Sequence, residues 1–270
     1  MPKIPVAFAV CAVLAQISYP LTSGDARDIV TAAVVLLGAA AALSDAVVQR
    51  GIRFAALLFA LTAGVGLIAE IIGVASGFPF GCYDYATDRL GPAVAGVPLV
   101  VPLAWTAGIY PVWVVAGVVA RSEAGRILLT ATGAVGWDLY LDPQMVHDGQ
   151  WQWCSAGASE ATGNSTSAPA LPGIPDIPIT NYLGWFVVAA VMAAGLAVAA
   201  RHAREPESRV VPIALFLWTW LGSALAHATM LGPELRWSAL YGLVVMGVLG
   251  VPLLAHLRDR RSRRDPASAR

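Results

Sequence analysis

Asp138 and Asp142 stand four residues apart in GWDLYLDPQ, a stretch otherwise rich in apolar and aromatic side chains. On a helix that spacing puts both carboxyls on one face. Glu70 lies inside a second apolar run, His227 inside a third, and Asn181 just before a fourth. Ionisable groups within apolar runs are costly and mark function by default. Each also has a plainer reading. Asp142 precedes Pro143 and serves a helix end. Glu70, with Gly64, Gly66 and Gly73 nearby, bonds a closely packed neighbour helix. His227 bridges two helices. As chemistry, carboxyls crowded at low dielectric keep one proton at neutral pH. Such an acid among aromatic faces protonates an alkene, and the rings stabilise the cation that forms. A second carboxylate or His227 then takes a proton from the attacking water. Nothing in the chain resembles a Gly-rich nucleotide loop, a haem-type His pair or a di-iron His cluster. The expectation is therefore no cofactor and no metal.

These residues need apolar walls, and the chain supplies little else. Its 270 residues are 57% hydrophobic and 13% charged, where a soluble domain carries about 25% charged residues. Eight segments approach the about 20 apolar residues a bilayer requires: 4–21, 29–48, 53–76, 97–119, 126–142, 183–200, 210–231 and 237–257. The fifth and sixth are short, so counts of seven and nine stay open. Long apolar runs without strand alternation exclude a barrel. The fold class is all-α, a polytopic membrane helical bundle forming one domain over 1–257, with a basic tail at 258–270. With the N-terminus in the cytoplasm, the basic residues fall on the inner side except Arg27, Arg89 and Arg236. Both termini are then cytoplasmic in a multi-pass cell-membrane protein. Glu70, Asp138, Asp142, Asn181 and His227 gather near the outer interface. The first run, Ile4 to Ile17, is read as a retained helix and not a signal peptide.

Two outer loops frame the acids. Residues 77–96 are rich in Gly, Pro and aromatics and read as an ordered loop, in which Asp84 and Asp88 share no assured face. Residues 143–182 begin and end in aromatic segments around a mobile stretch at 155–170. Trp151, Trp153, Tyr182 and Trp185 suit an interfacial belt. Cys82 and Cys154 fall on the same side; two free thiols is the reading preferred to a pair. The Arg-rich tail reads as an anchor touching anionic lipid, and no nucleic-acid partner is expected.

The stretches EIIGVASGFPFGCYDYATDRLGP, VAGVPLVVPLAW, GWDLYLDPQMVHDGQWQW and IPITNYLGW, within residues 70–185, resemble the CruF-type carotenoid biosynthesis family, the membrane carotenoid hydratases. The resemblance implies a cofactor-free hydro-lyase, met in the bilayer by its carotenoid and alongside other carotenoid-pathway enzymes. Members add water across the terminal 1,2 double bond of an acyclic end group, of the C40 ψ type or of C50 bacterioruberin precursors. Carried onto this sequence, Glu70 or Asp138 is the proton donor, and Asp142 its partner or the water base. Tyr83, Trp105, Trp137, Trp153 and Trp185 line the polyene groove, and Asn181 holds the water. The chain departs from the family before Asn181, where GIP at 173–175 is followed by a second IP at 177–178.

Rival readings stay open. A UbiA-type prenyltransferase or lycopene elongase also carries Asp pairs, but the Asn-Asp-rich signature is missing and the acids lie on the side poor in Arg and Lys. A carotenoid cyclase shares the acid step and ends in ring closure. A carotenoid-binding scaffold or transporter does no chemistry, though no internal repeat supports a transporter. The natural carotenoid, the number of ends that react and the oligomeric state are not written in the sequence.

Overall fold

The computed structural model describes residues 3–154 and 169–264. Of the expected mobile stretch at 155–170, residues 155–168 lie outside the described residues, as does the end of the tail at 265–270. The helices are α1 (Lys3–Ser18), α2 (Gly24–Arg50), α3 (Ile52–Phe59), α4 (Val65–Ser76), α5 (Val100–Val119), α6 (Glu123–His147), α7 (Ile179–Ala200), α8 (Val210–Thr229) and α9 (Arg236–Arg264). A π-helical turn, Ala60–Gly64, joins α3 and α4 into one rod. Each expected apolar segment thus coincides with one long rod among the described residues.

Seven of these rods are long and apolar enough to cross a membrane. The eighth, α6, carries Glu123, Arg126, Asp138 and Asp142. Large apolar side chains such as Leu183, Val187 and Val191 stand exposed at four-residue spacing along α7. An apolar face of that kind suits lipid, and the chain is a membrane protein.

α5 is the axis of the bundle. Trp105, Ile109, Tyr110 and Trp113 on it are almost fully buried, and it packs against α2, α4, α6, α8 and α9. At one end three two-stranded pieces form a cap. β1 (Tyr83–Tyr85) pairs antiparallel with β4 (Trp151–Trp153), β2 (Ala93–Val94) with β3 (Val97–Pro98), and β5 (Ala170–Leu171) with β6 (Ile174–Pro178). The Arg89 guanidinium donates to both Asp28 oxygens at 3.0 and 2.7 Å and to the Asp148 carbonyl at 2.6 Å. Arg27 pairs with Asp148 at 2.7 Å, and the Tyr19 hydroxyl donates to the same carboxylate. Two of the three basic residues that broke the charge pattern therefore serve as ties between the cap and α2.

Three expectations need correction. Pro143 does not end its helix: α6 continues to His147. A proline deprives the carbonyl four residues back of its usual donor, and here the Ser238 hydroxyl of α9 donates to Leu139 O at 2.5 Å instead. α7 begins at Ile179, so Asn181 sits in its first turn. Cys82 and Cys154 are joined by a disulfide, 72 residues apart in sequence, immediately beside the β1–β4 ladder.

Candidate active site

Glu70, on α4, is 3% exposed and is held by three donors. The hydroxyls of Tyr83 and Tyr85 donate to its Oε2 at 2.5 and 2.9 Å, and Trp105 Nε1 donates to its Oε1 at 3.0 Å. The two tyrosines are two residues apart on a strand, so both hydroxyls leave the same face. Burial, followed by the charge of Glu70, holds both phenols well above the usual tyrosine range, so both stay protonated donors. Gly73 makes this approach feasible: a Cβ there would lie 2.6 Å from the Tyr83 hydroxyl. Gly73→Ala is expected to displace Tyr83 and destabilise the protein by about 1–2 kcal/mol net, the lost charged hydrogen bond outweighing the helix propensity gained. Thermal unfolding in detergent checks this.

Asp138 and Asp142 face inward from successive turns of α6, fully buried and 3% exposed. The Asn181 amide spans them, Nδ2 donating at 3.0 Å to Asp138 Oδ2 and at 2.5 Å to Asp142 Oδ2. Asp138 Oδ1 is buried without a hydrogen-bond partner among the described residues. No lysine or arginine pairs with any of these three carboxyls among the described residues.

The two groups meet at one cavity of about 440 Å³. Glu70, Asp142 and Asn181 line it, and Asp138 lies behind the wall. Three tryptophans close this end. Trp105 stacks on Trp185 with centroids 4.0 Å apart, and Trp137 meets Trp185 edge-on at 5.6 Å. Trp137 rests on α5 at Gly108, where a Cβ would come within 1.9 Å of the indole. The rest of the lining is mainly aliphatic and aromatic. The arrangement is an acid pocket in an apolar, aromatic chamber, suited to proton transfer to a hydrocarbon.

A model of the family described as "Carotenoid biosynthesis protein" matches residues 30–249. The chain belongs to this carotenoid biosynthesis family. Bisanhydrobacterioruberin hydratase of Haloarcula japonica is similar to it, 26% identical over 206 residues, with 65% of this chain and 64% of that protein covered. The chain thus spans somewhat under two thirds of that relative's length. No solved structure matches it.

For a member of the carotenoid biosynthesis family, the site is a product of the fold as much as of its acids. Tyr83, Trp105, Trp137, Trp153, Asn181 and Trp185 all line the same cavity as Glu70 and Asp142. Trp105 and Tyr83, read from sequence as groove residues, are also donors to Glu70. Tyr85 was missed. Its signal was the Tyr-x-Tyr alternation, which on a strand aims two hydroxyls at one point. His227 lines the cavity, but its ring faces backbone. Nδ1 lies 2.8 Å from Ser223 O and Nε2 3.1 Å from Tyr140 O, beside the Pro143 break in α6. The structure brings it to a helix junction and not to the carboxyls. Asp84 and Asp88 are exposed and share no cluster with them.

Proposed function

We propose that the protein hydrates the terminal C1–C2 double bond of an acyclic carotenoid end group. One observation carries this: Glu70 and Asp142 line the same tryptophan-walled end of a largely apolar cavity. Asp142, protonated beside Asp138 and joined to it by the Asn181 amide, donates its carboxyl proton to C2. The C1=C2 π electrons form the new C–H bond, leaving a tertiary cation at C1. The aromatic wall of Trp105, Trp137 and Trp185 stabilises that cation, and the Glu70 carboxylate, held by three donors, supplies negative charge. Water adds at C1 and its proton returns to the Asp142 carboxylate, so the acid is regenerated and the product is a tertiary alcohol. The Asn181 amide oxygen accepts no hydrogen bond among the described residues and is the natural holder of that water. The similarity to a named hydratase supports this reading over ring closure or prenyl transfer.

Expression in a lycopene-producing bacterium tests it. The expected product is heavier by one or two waters and takes its oxygen from H₂¹⁸O. Label arriving from ¹⁸O₂ would sink the proposal.

The cap is taken to face the extracytoplasmic side, with both termini cytoplasmic in the cell membrane. The basic-residue pattern supports this, and so does the Cys82–Cys154 disulfide, a bond that persists in oxidising compartments. A fluorescent-protein fusion at the C-terminus is expected to fluoresce, and an alkaline phosphatase fusion there to stay inactive. The reverse pattern would invert the topology.

A further inference from the structure

The cavity is unequal along its length. At the acid end its walls are closed: Glu70, Asp142, Asn181, Trp105 and Trp185 are all buried. From there it runs past Gly108 and Pro111 of α5 to the seam between α1 and α8. Three large apolar residues that line it at this far end are exposed: Ile17 by 46%, Leu225 by 61% and Met230 by 54%. The exposed surface these three side chains present is apolar. The seam includes small residues, Ala12 on α1 and Gly222, Ser223 and Ala226 on α8, among larger ones. One side-chain hydrogen bond crosses it among the described residues, Trp218 Nε1 donating to Gln16 Oε1 at 2.6 Å, and both partners line the cavity. α1 is otherwise packed mainly on α2. A single polar contact between helices in lipid is a weak closure.

The chamber, about 440 Å³, is the size of a drug-sized site. A C40 or longer polyene exceeds it, so only an end group and a short length of chain fit inside. The remainder must leave through a wall, and among apolar surfaces only lipid suits it.

We propose that the α1–α8 seam, latched by the Gln16–Trp218 hydrogen bond, is the doorway through which a long acyclic polyene enters end-first from the bilayer and in which its unreacted part rests. This rests on the hydratase reading for the identity of the ligand. The acid end receives the terminal double bond because it is the closed end. The apolar seam grips the chain without polar discrimination, so selectivity falls on the end group.

Site-specific photo-cross-linking tests the doorway without relying on turnover. A benzophenone amino acid is placed at Ile17 or Leu225, and as controls at Leu183 or Val191, which are exposed on the lipid face of α7. The protein is reconstituted in lipid nanodiscs with lycopene as probe. At least a fivefold excess of lycopene adduct at Ile17 and Leu225 over the controls is expected. Equal labelling at all four positions would overturn the doorway. Gly222→Trp, which fills the seam, is expected to remove the Ile17 adduct; its persistence in that variant would also count against the proposal. If the doorway adducts form while no hydrated product appears, the hydratase reading fails and the doorway stands. If hydration proceeds with uniform labelling, the reverse holds.

Discussion

Asp142→Asn is expected to lower the hydration rate by about 10²–10⁴-fold, the range for removing a positioned general acid. The substitution keeps the shape of the side chain, so the loss measures the proton and not the packing. Asp142 is singled out because it lines the cavity while its partner Asp138 does not. Asp138→Asn is expected to cost less and to show its effect as a displaced pH–rate profile, since the Asn181 amide ties Asp138 to Asp142 and two neighbouring carboxyls titrate as a pair. A larger loss from Asp138→Asn than from Asp142→Asn would reverse the assignment. Glu70→Gln separates a third role. On the proposed mechanism it removes the charge offered to the cation, and it places an amide opposite three donors arranged for a carboxylate. The expected result is a slower reaction together with a less stable protein, whereas Asp142→Asn is expected to spare stability. Product formation against pH and thermal unfolding, measured on the same three variants, distinguish these outcomes.

The acids were legible in the sequence because an ionisable residue is conspicuous in an apolar run, and the i, i+4 spacing of Asp138 and Asp142 already implied one face. Their partners were harder to read. Tyr83 and Tyr85 reach Glu70 only because a short strand pairs with β4, a contact between residues about 70 positions apart. Local pattern carries no information about such pairing. The continuation of α6 through Pro143 was hidden for a related reason. The stop signal is local, but the group that compensates for it, Ser238, lies on α9, 99 residues away. His227 shows the converse. Its burial in an apolar helix was visible as a candidate for proton transfer, yet its neighbours are carbonyl oxygens. Residue type and depth can be inferred from a linear pattern; the direction of a ring cannot. The rods themselves followed from run length, which left seven to nine spans open, together with the placement of Lys and Arg, which favoured eight; each span is helical because lipid demands a full complement of internal backbone hydrogen bonds.

Removing the Cys82–Cys154 bond is expected to have the largest effect on stability. The bond closes a loop 72 residues long that contains α5 and α6. On the chain-entropy account a loop of this length is stabilised by about 4 kcal/mol, an upper bound where membrane spans already restrict the unfolded chain. The consequence for the site is more specific than the magnitude. Cys154 N donates to Cys82 O at 2.8 Å, and the next pair in the ladder is Tyr83 opposite Trp153. Trp153 in turn donates from Nε1 to Phe80 O at 3.0 Å. The disulfide therefore pins the end of the strand that presents two of the three donors to Glu70. In the double variant Cys82→Ser, Cys154→Ser the cap is expected to fray from that end first. Thermal unfolding should fall with added reductant in the wild type and stop responding to it in the variant. Activity should fall further than in Tyr85→Phe, which removes one donor and leaves the strand in place. A wild-type protein indifferent to reductant, with cysteines shown to be reduced, would mean that the β1–β4 ladder and its aromatic packing hold Glu70's donors unaided.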